Sequence, residues 1–340
     1  MTHEALVYLA AGTSLIGLMA YAVLGGADFG GGVWDLFATG PRKRPQREAI
    51  AHAMGPVWEA NHVWLIFVIV VLFTCFPYGY ARLGIALFIP FHLALAGIML
   101  RGAAFVFRAY GSTRGTTGGD PPTSRWGTVF GIASVISPFL LGLAFGVVTE
   151  GGLRIDEAGN VRPMSFPHWL RPYTVGCGLL ALSTCAYLAA VYLTVETDGE
   201  LREDFRLRAI FAGTTTAGLA LLVLLFAWHE ANWFFRQLVS PLCWPVLAAG
   251  IFCFTASAWA VLGRRYRLSR VFAAGEIVLL LLGWGLAQQP YLVYPDITLQ
   301  EAAAPAPTIA FMLATLPVAA LLLIPSFWLL LHVFKARPNK

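Results

Sequence analysis

The sequence predicts an all-α integral membrane protein: one polytopic membrane domain over residues 1–340, with about nine transmembrane helices. Three observations predict it. The chain is 58% hydrophobic and only 12% charged, whereas a soluble domain carries roughly 25% charged residues. So few charges leave a water-facing surface unsolvated, and lipid must cover much of it. The apolar residues also gather into stretches near the roughly 20 residues that one spanning helix needs. Finally, the charges between those stretches alternate in a way that only an odd number of crossings explains.

The apolar stretches, with soft edges, are 5–27, 53–76, 82–105, 127–148, 172–195, 207–228, 239–262, 270–287 and 308–334. Each is bounded by Gly/Pro or charged clusters, as helix ends should be. A membrane β-barrel would instead show ~10-residue segments alternating polar and apolar, and these stretches are longer and uniformly apolar. The first stretch lacks a basic leader and a small-residue cleavage site, so it reads as a retained first helix rather than a signal peptide. No internal repeat is evident.

Loop charge sets the orientation. The first loop holds Arg42, Lys43, Arg44 and Arg47, and the third Arg108, Arg114 and Arg125. The fifth holds Arg202, Arg206 and Arg208, the seventh Arg264, Arg265, Arg267 and Arg270, and the tail Lys335, Arg337 and Lys340. The other loops carry only Arg82, Arg154, Arg162, Arg171 and Arg236. Nine crossings put every basic cluster on one side, with the N-terminus outside and the C-terminus cytoplasmic. In the external segment 149–170, Gly159-Asn160 between short alternating runs predicts a small hairpin. The external segment 288–307 is Pro- and Ala-rich.

Ionisable groups at membrane depth are costly and mark functional candidates. The densest set is Met54-Gly55-Pro56-Val57-Trp58-Glu59-Ala60-Asn61-His62-Val63-Trp64-Leu65. Glu59 lies about ten residues into its stretch, roughly 15 Å deep at 1.5 Å per residue. Pro56 removes a backbone donor and can open a polar kink. Glu59 and His62, three apart, share a helix face and could pass protons, with Asn61 holding a water. The competing reading, equally weighted, is a buried polar knot that packs helices.

Asp28 sits in a glycine run at the inner end of the first stretch, either a proton or ion group or an interfacial cap. Arg101 is expected to snorkel to the cytoplasmic face, the alternative being a buried acid as partner. Glu276 is expected to form an interfacial ion pair with the nearby arginines, the alternative being a relay. Gln288 to Tyr291 read as an interfacial anchor or a polar lining for a headgroup.

The five cysteines, without a C-x-x-C pair, read as buried free thiols. Haem b needs axial His or Met donors, and the scattered histidines assign none, although His62 and His92 are deep enough. The basic balance is a topology signal; there is no nucleic-acid-binding signature.

The Pro56 to Leu65 segment, followed by Leu72-Phe73 and Phe76-Pro77-x-x-Tyr80-Ala81, resembles the signature of subunit II of cytochrome bd-type quinol oxidases. The family pattern is Pro-x-Trp-Asp-Gly-Asn-Glu/Gln-Val-Trp-Leu, then Leu-Phe-x-x-x-Pro-x-x-Tyr-Ala. Asp28-Phe29-Gly30 resembles the second half of its Asp-Gly-Phe-Asp-Leu/Met-Gly, and Arg101-x-x-x-Phe105-x-x-Arg108 its Arg-x-x-x-Phe-x-x-Arg. Gly283-Trp284 through Pro307 resembles the C-terminal part of the cyanide-insensitive branch. The departures suggest a divergent member: Gly25 for the family's first Asp, Glu59 for Asp, Ala60 for Gly, His62 for Glu or Gln, and Val106 for an acid.

The resemblance implies the haem-free subunit of a quinol:oxygen oxidoreductase in the bacterial cytoplasmic (inner) membrane. The haem-bearing subunit I would hold haems b and d (or a b substitute) and the quinol-oxidation loop. The complex would oxidise quinol, reduce dioxygen to water and draw protons from the cytoplasm. Glu59, Asp28, His62 and Asn61 would serve a proton route, with Trp58, Trp64, Pro56, Arg101 and Arg108 as structural motif residues. The resemblance also allows for a structural quinone in this chain and for small extra subunits. The alternatives are a secondary transporter or permease, which would show repeats and paired broken helices, and a haem-binding cytochrome subunit.

Overall fold

The computed structural model describes residues 1–54, 58–111, 122–162 and 169–335; at 54, 58–60, 109–111, 122–124, 324, 327–328 and 330–335 it describes the backbone alone. Pro56, Arg114, Arg337 and Lys340 lie outside the described residues, and so do the side chains of Trp58 and Glu59.

The helices are α1 (His3–Leu36), α2 (Lys43–Met54), α3 (Trp58–Cys75), α4 (Pro77–Ala86), α5 (Phe88–Gly111), α6 (Pro122–Glu150) and α7 (Pro172–Glu196). They continue as α8 (Gly199–Glu230), α9 (Asn232–Leu238), α10 (Trp244–Leu262), α11 (Tyr266–Gln288), α12 (Leu299–Ala302) and α13 (Ala306–Lys335). Among the described residues, eight helices are long and apolar enough to cross a bilayer. A ninth crossing exists if Asn61–Cys75 and Pro77–Ala86, bent by 118°, form one broken span. The expected count of about nine holds.

Two boundaries differ from the sequence reading. The first helix does not stop near residue 27 but runs to Leu36, straight through its glycine run. Glycine costs about 1 kcal/mol per residue in a helix interior, and packing overrides that here. A Cβ on Gly30 would collide with the Cys185 carbonyl of α7, and one on Gly32 with Ser134 of α6. The glycines let α1 press against both neighbours. The third apolar stretch also divides. Pro77 cannot continue α3, so the chain turns into α4, and the next span begins at Phe88 rather than 82.

Helix α1 packs against α3, α6, α7 and α11, and α7 lies between α1, α6 and α8. In its most apolar window α7 is 61% buried within the protein, against 11% for α13. The core therefore sits around α1, α6 and α7, while most of the surface of α13 is left uncovered by the rest of the chain.

Contacts between loops fix the two ends. At one end Arg42 Nη2 bonds Asp204 at 2.6 Å, Arg206 Nε donates to the Val261 carbonyl at 3.0 Å and Arg270 meets Glu196 at 3.4 Å. At the other, Arg82 Nε donates to the Gly159 carbonyl at 3.0 Å, and the Ala304 N–H to the Cys75 carbonyl at 2.8 Å. The alternation expected from loop charge is thus present, and the positive-inside rule makes the arginine-rich end cytoplasmic.

The hairpin at Gly159-Asn160 forms. Ile155 and Val161 bridge across it, and Gly159 takes φ +79°. The 288–307 segment is more ordered than its composition suggests. Tyr291–Val293 pairs antiparallel with Ile297–Thr298, and Thr298 and Glu301 form a reciprocal capping box at the start of α12. Gln288, read as an interfacial anchor, is instead 4% exposed.

Candidate functional site in the bundle core

The close approach of α1 to α6 and α7 carries Asp28 into the centre of the bundle. It is not a cap at a helix end, because α1 continues two turns beyond it. Nor does Arg101 of α5 snorkel. Its side chain is 0% exposed, and that of Asp28 is 1% exposed. Arg101 Nη1 donates to Asp28 Oδ2 at 2.6 Å, and Nη2 donates to the Asp28 carbonyl at 2.9 Å while lying 2.6 Å from Oδ1. Nε donates to Ser134 Oγ at 2.9 Å, and the Ser134 hydroxyl in turn donates a hydrogen bond to the Phe130 carbonyl at 2.7 Å. The rings of Phe29 and Phe130 each sit 4.9 Å from the guanidinium carbon. Snorkelling fails because this aspartate, serine and pair of aromatic faces satisfy the cation where it stands.

A second pair lies toward the cytoplasmic end. Arg108 donates to both Asp35 oxygens at 2.9 Å, and Arg47 Nε donates to the Asp35 carbonyl at 3.2 Å. Nearby, Trp34 Nε1 donates to the Ala186 carbonyl at 2.7 Å, tying α1 to α7. Asp35, Ser134 and Tyr21 are the site residues that the sequence reading missed. One signal was available for Asp35: it follows Asp28 by seven residues, as Arg108 follows Arg101. Seven residues are about two helical turns, so two helices running in the same direction can align both pairs.

On the α3 side, Asn61 is buried at 3% exposed. The His62 ring lies 6.2 Å from Tyr21 and 6.1 Å from Phe29, both on α1. The Tyr21 hydroxyl is buried with no hydrogen-bond partner among the described residues. Its ring covers Gly25, where a Cβ would come within 2.9 Å of it. Glu59 precedes His62 by three residues in α3. Trp64 makes an edge-on contact with Phe67 at 6.3 Å. Thus His62 and the Asp28–Arg101 pair belong to one neighbourhood, joined through the Phe29 ring, with Arg108 two turns below; Asn61 is buried next to His62 in sequence.

Among the described residues Glu276 does not form the expected interfacial ion pair. Arg270 is engaged by Glu196 instead, and stacks on Tyr192 at 4.8 Å. All five cysteines are free. Among the described residues no three His, Cys, Asp or Glu side chains converge as they would on a bare metal ion. His62 packs on Tyr21 and Phe29, and His92 bonds the Phe88 carbonyl of its own helix at 2.7 Å.

Comparison with known proteins decides the family. The family model described as cytochrome bd terminal oxidase subunit II matches residues 6–334. The chain belongs to that family. It is 25% identical to the putative cytochrome bd menaquinol oxidase subunit II of Bacillus subtilis (strain 168), across 92% of this chain and 91% of that one. It is 30% identical to the cytochrome bd-I ubiquinol oxidase subunit 2 of Escherichia coli (strain K12), across 62% of this chain and 53% of that one. Among solved structures, the bd oxidase from Geobacillus thermodenitrificans shares its fold, with a TM-score of 0.80 at 22% identity, covering 98% of this chain and 100% of that one.

This subunit II is therefore a multi-pass bacterial inner-membrane protein and part of an oxygen-reducing quinol oxidase. It works with a partner, subunit I, in a complex that carries haems. Nothing in the comparisons points to a transporter.

Proposed function

We propose that this subunit II, as a single membrane unit over its whole length, supports subunit I and supplies it with cytoplasmic protons, while the haems reside in subunit I. What supports the proton role is that His62 of α3 packs on Phe29, whose ring also faces Arg101 of the buried Asp28–Arg101 pair, with buried Asn61 next to His62 in sequence. Glu59, one turn earlier on α3, is the entrance on this reading. His62 and Asn61 are the hydrogen-bonding groups that follow. Asp28, fixed by Arg101, lies at the inner end of that route.

The quinol and dioxygen chemistry belongs to the haems of the complex. This chain's residues hold and move protons. A structural quinone or small extra subunits would bind elsewhere on the chain, and no residue is assigned to them.

The experiment is Glu59→Gln in an oxidase that still assembles and carries its full haem complement. Loss of a proton-transfer group is expected to slow oxygen reduction by roughly 100-fold if Glu59 is the sole entrance. Unchanged turnover rejects the proton role. Glu59→Leu should do at least as much harm, including to assembly.

A further inference from the structure

Away from α3, a second polar system joins three helices on the opposite flank of α1. Tyr187 of α7 and Ser257 of α10 share a hydrogen bond of 2.6 Å between hydroxyls. Ser257 lies 3.1 Å from Ser269 of α11, both from its hydroxyl and from its carbonyl. Ser257 and Ser269 are each 0% exposed. Ser269 stands one turn inside the arginine-rich end, next to Arg270. Tyr187 is nine residues from the end of α7, about 13 Å deep at 1.5 Å per residue. A chain of hydroxyls thus leads from the cytoplasmic end into the membrane core.

Glu276 sits at the deep end of this chain. It is two turns beyond Ser269 on α11 and within electrostatic reach of the Tyr187 hydroxyl and the Cys253 thiol. Its Oε2 is buried and accepts no hydrogen bond from any described residue. No described cation lies within ion-pair distance of it: Arg270, the nearest on its own helix, is held by Glu196. From α1, the apolar Leu15 meets α11 at Gly285. Glu276 itself is half-buried, but a carboxylate oxygen buried without a cation or a donor is expensive, and an ion-pair role does not explain its depth. Hydroxyls are both donors and acceptors, which is what proton exchange along a chain requires.

We infer that Glu276 is a proton-exchanging carboxyl, reached from the cytoplasmic end through Ser269, Ser257 and Tyr187. It is a separate site from the α3 route and does not depend on that reading.

The test uses the intact, haem-loaded oxidase and infrared difference spectroscopy in H2O and D2O. The wild-type complex should show a carboxylic C=O band that shifts on deuteration, and Glu276→Gln should remove it. The double variant Tyr187→Phe, Ser257→Ala should keep the band but slow its deuterium exchange by an order of magnitude or more. A spectrum unchanged by Glu276→Gln overturns the inference, and so does wild-type exchange in the double variant. Glu59→Gln should leave the band in place, so failure of the α3 route and failure of this site are distinguishable.

Discussion

The two acid–arginine pairs between α1 and α5 are built alike and placed differently. Asp28–Arg101 and Asp35–Arg108 have the same residue types, helices and seven-residue spacing, and lie about 10 Å apart along the bundle. Asp28 and Arg101 are both shut away from solvent, whereas the Arg108 side chain is 24% exposed and Asp35 has Arg47 as a second cation. The deep pair needs every hydrogen bond it has, because nothing else can solvate its charges. The shallow pair has water and a spare arginine within reach. Depth, not pair chemistry, decides whether such a contact is a fixed strut or an adjustable tie.

The largest expected effect comes from breaking the deep pair on one side. Arg101→Leu leaves Asp28 buried without a cation, which costs about 3–5 kcal/mol. Thermal unfolding and the yield of assembled oxidase should both fall sharply. If Asp28→Leu is added, much of the stability should return, because replacing a whole buried pair by apolar groups is often neutral. A double variant no better than the single one would refute the strut interpretation.

Arg108→Gln should cost less, about 1–2 kcal/mol, since Asp35 keeps Arg47. Equal losses for Arg101→Leu and Arg108→Gln, measured in the same detergent, would erase the distinction between the pairs.

The smallest effect belongs to a carboxylate outside the membrane. Glu301 accepts from the Thr298 N–H at 2.9 Å and the Thr298 hydroxyl at 2.8 Å. The backbone bond first, then the hydroxyl, holds its carboxyl below the usual range. Its contribution is therefore complete above the ordinary carboxylate range and is lost as pH falls through the lowered value. Thr298→Ala should cost about 1 kcal/mol at neutral pH, read as faster amide exchange over 298–302. That difference should shrink in acid.

Much of the architecture was legible in the sequence. Hydropathy marked the spans, and the alternation of arginines gave the sidedness that the Arg42–Asp204 and Arg82–Gly159 contacts display. Gly159-Asn160 marked its hairpin through the left-handed conformation that glycine adopts freely. The pairings were harder to read, because they depend on which helices become neighbours. Arg101 looks like a snorkelling residue until α1 and α5 both pack on α6, where its side chain reaches Asp28, and the glycine run looks like a helix end until α6 and α7 press on it. Asp35 was betrayed only by a spacing shared with a helix some 70 residues away. The Thr298-x-x-Glu301 signature was available, but the Pro- and Ala-rich composition around it concealed it. Glu276 was misassigned because closeness in sequence to Arg270 is not closeness of partnership: Glu196, on another helix, holds that arginine.

The Asp28–Arg101 contact also bears on the order in which the protein is made. The two residues are 73 positions apart, and at a synthesis rate of about 5–20 residues per second the arginine emerges about 4–15 s after the aspartate. During that interval the first helix carries an acid with no countercharge. Protonation can carry the acid through that interval, and α1 gains its countercharge only when α5 arrives. The innermost ion pair of the finished bundle is thus also a clock for its insertion.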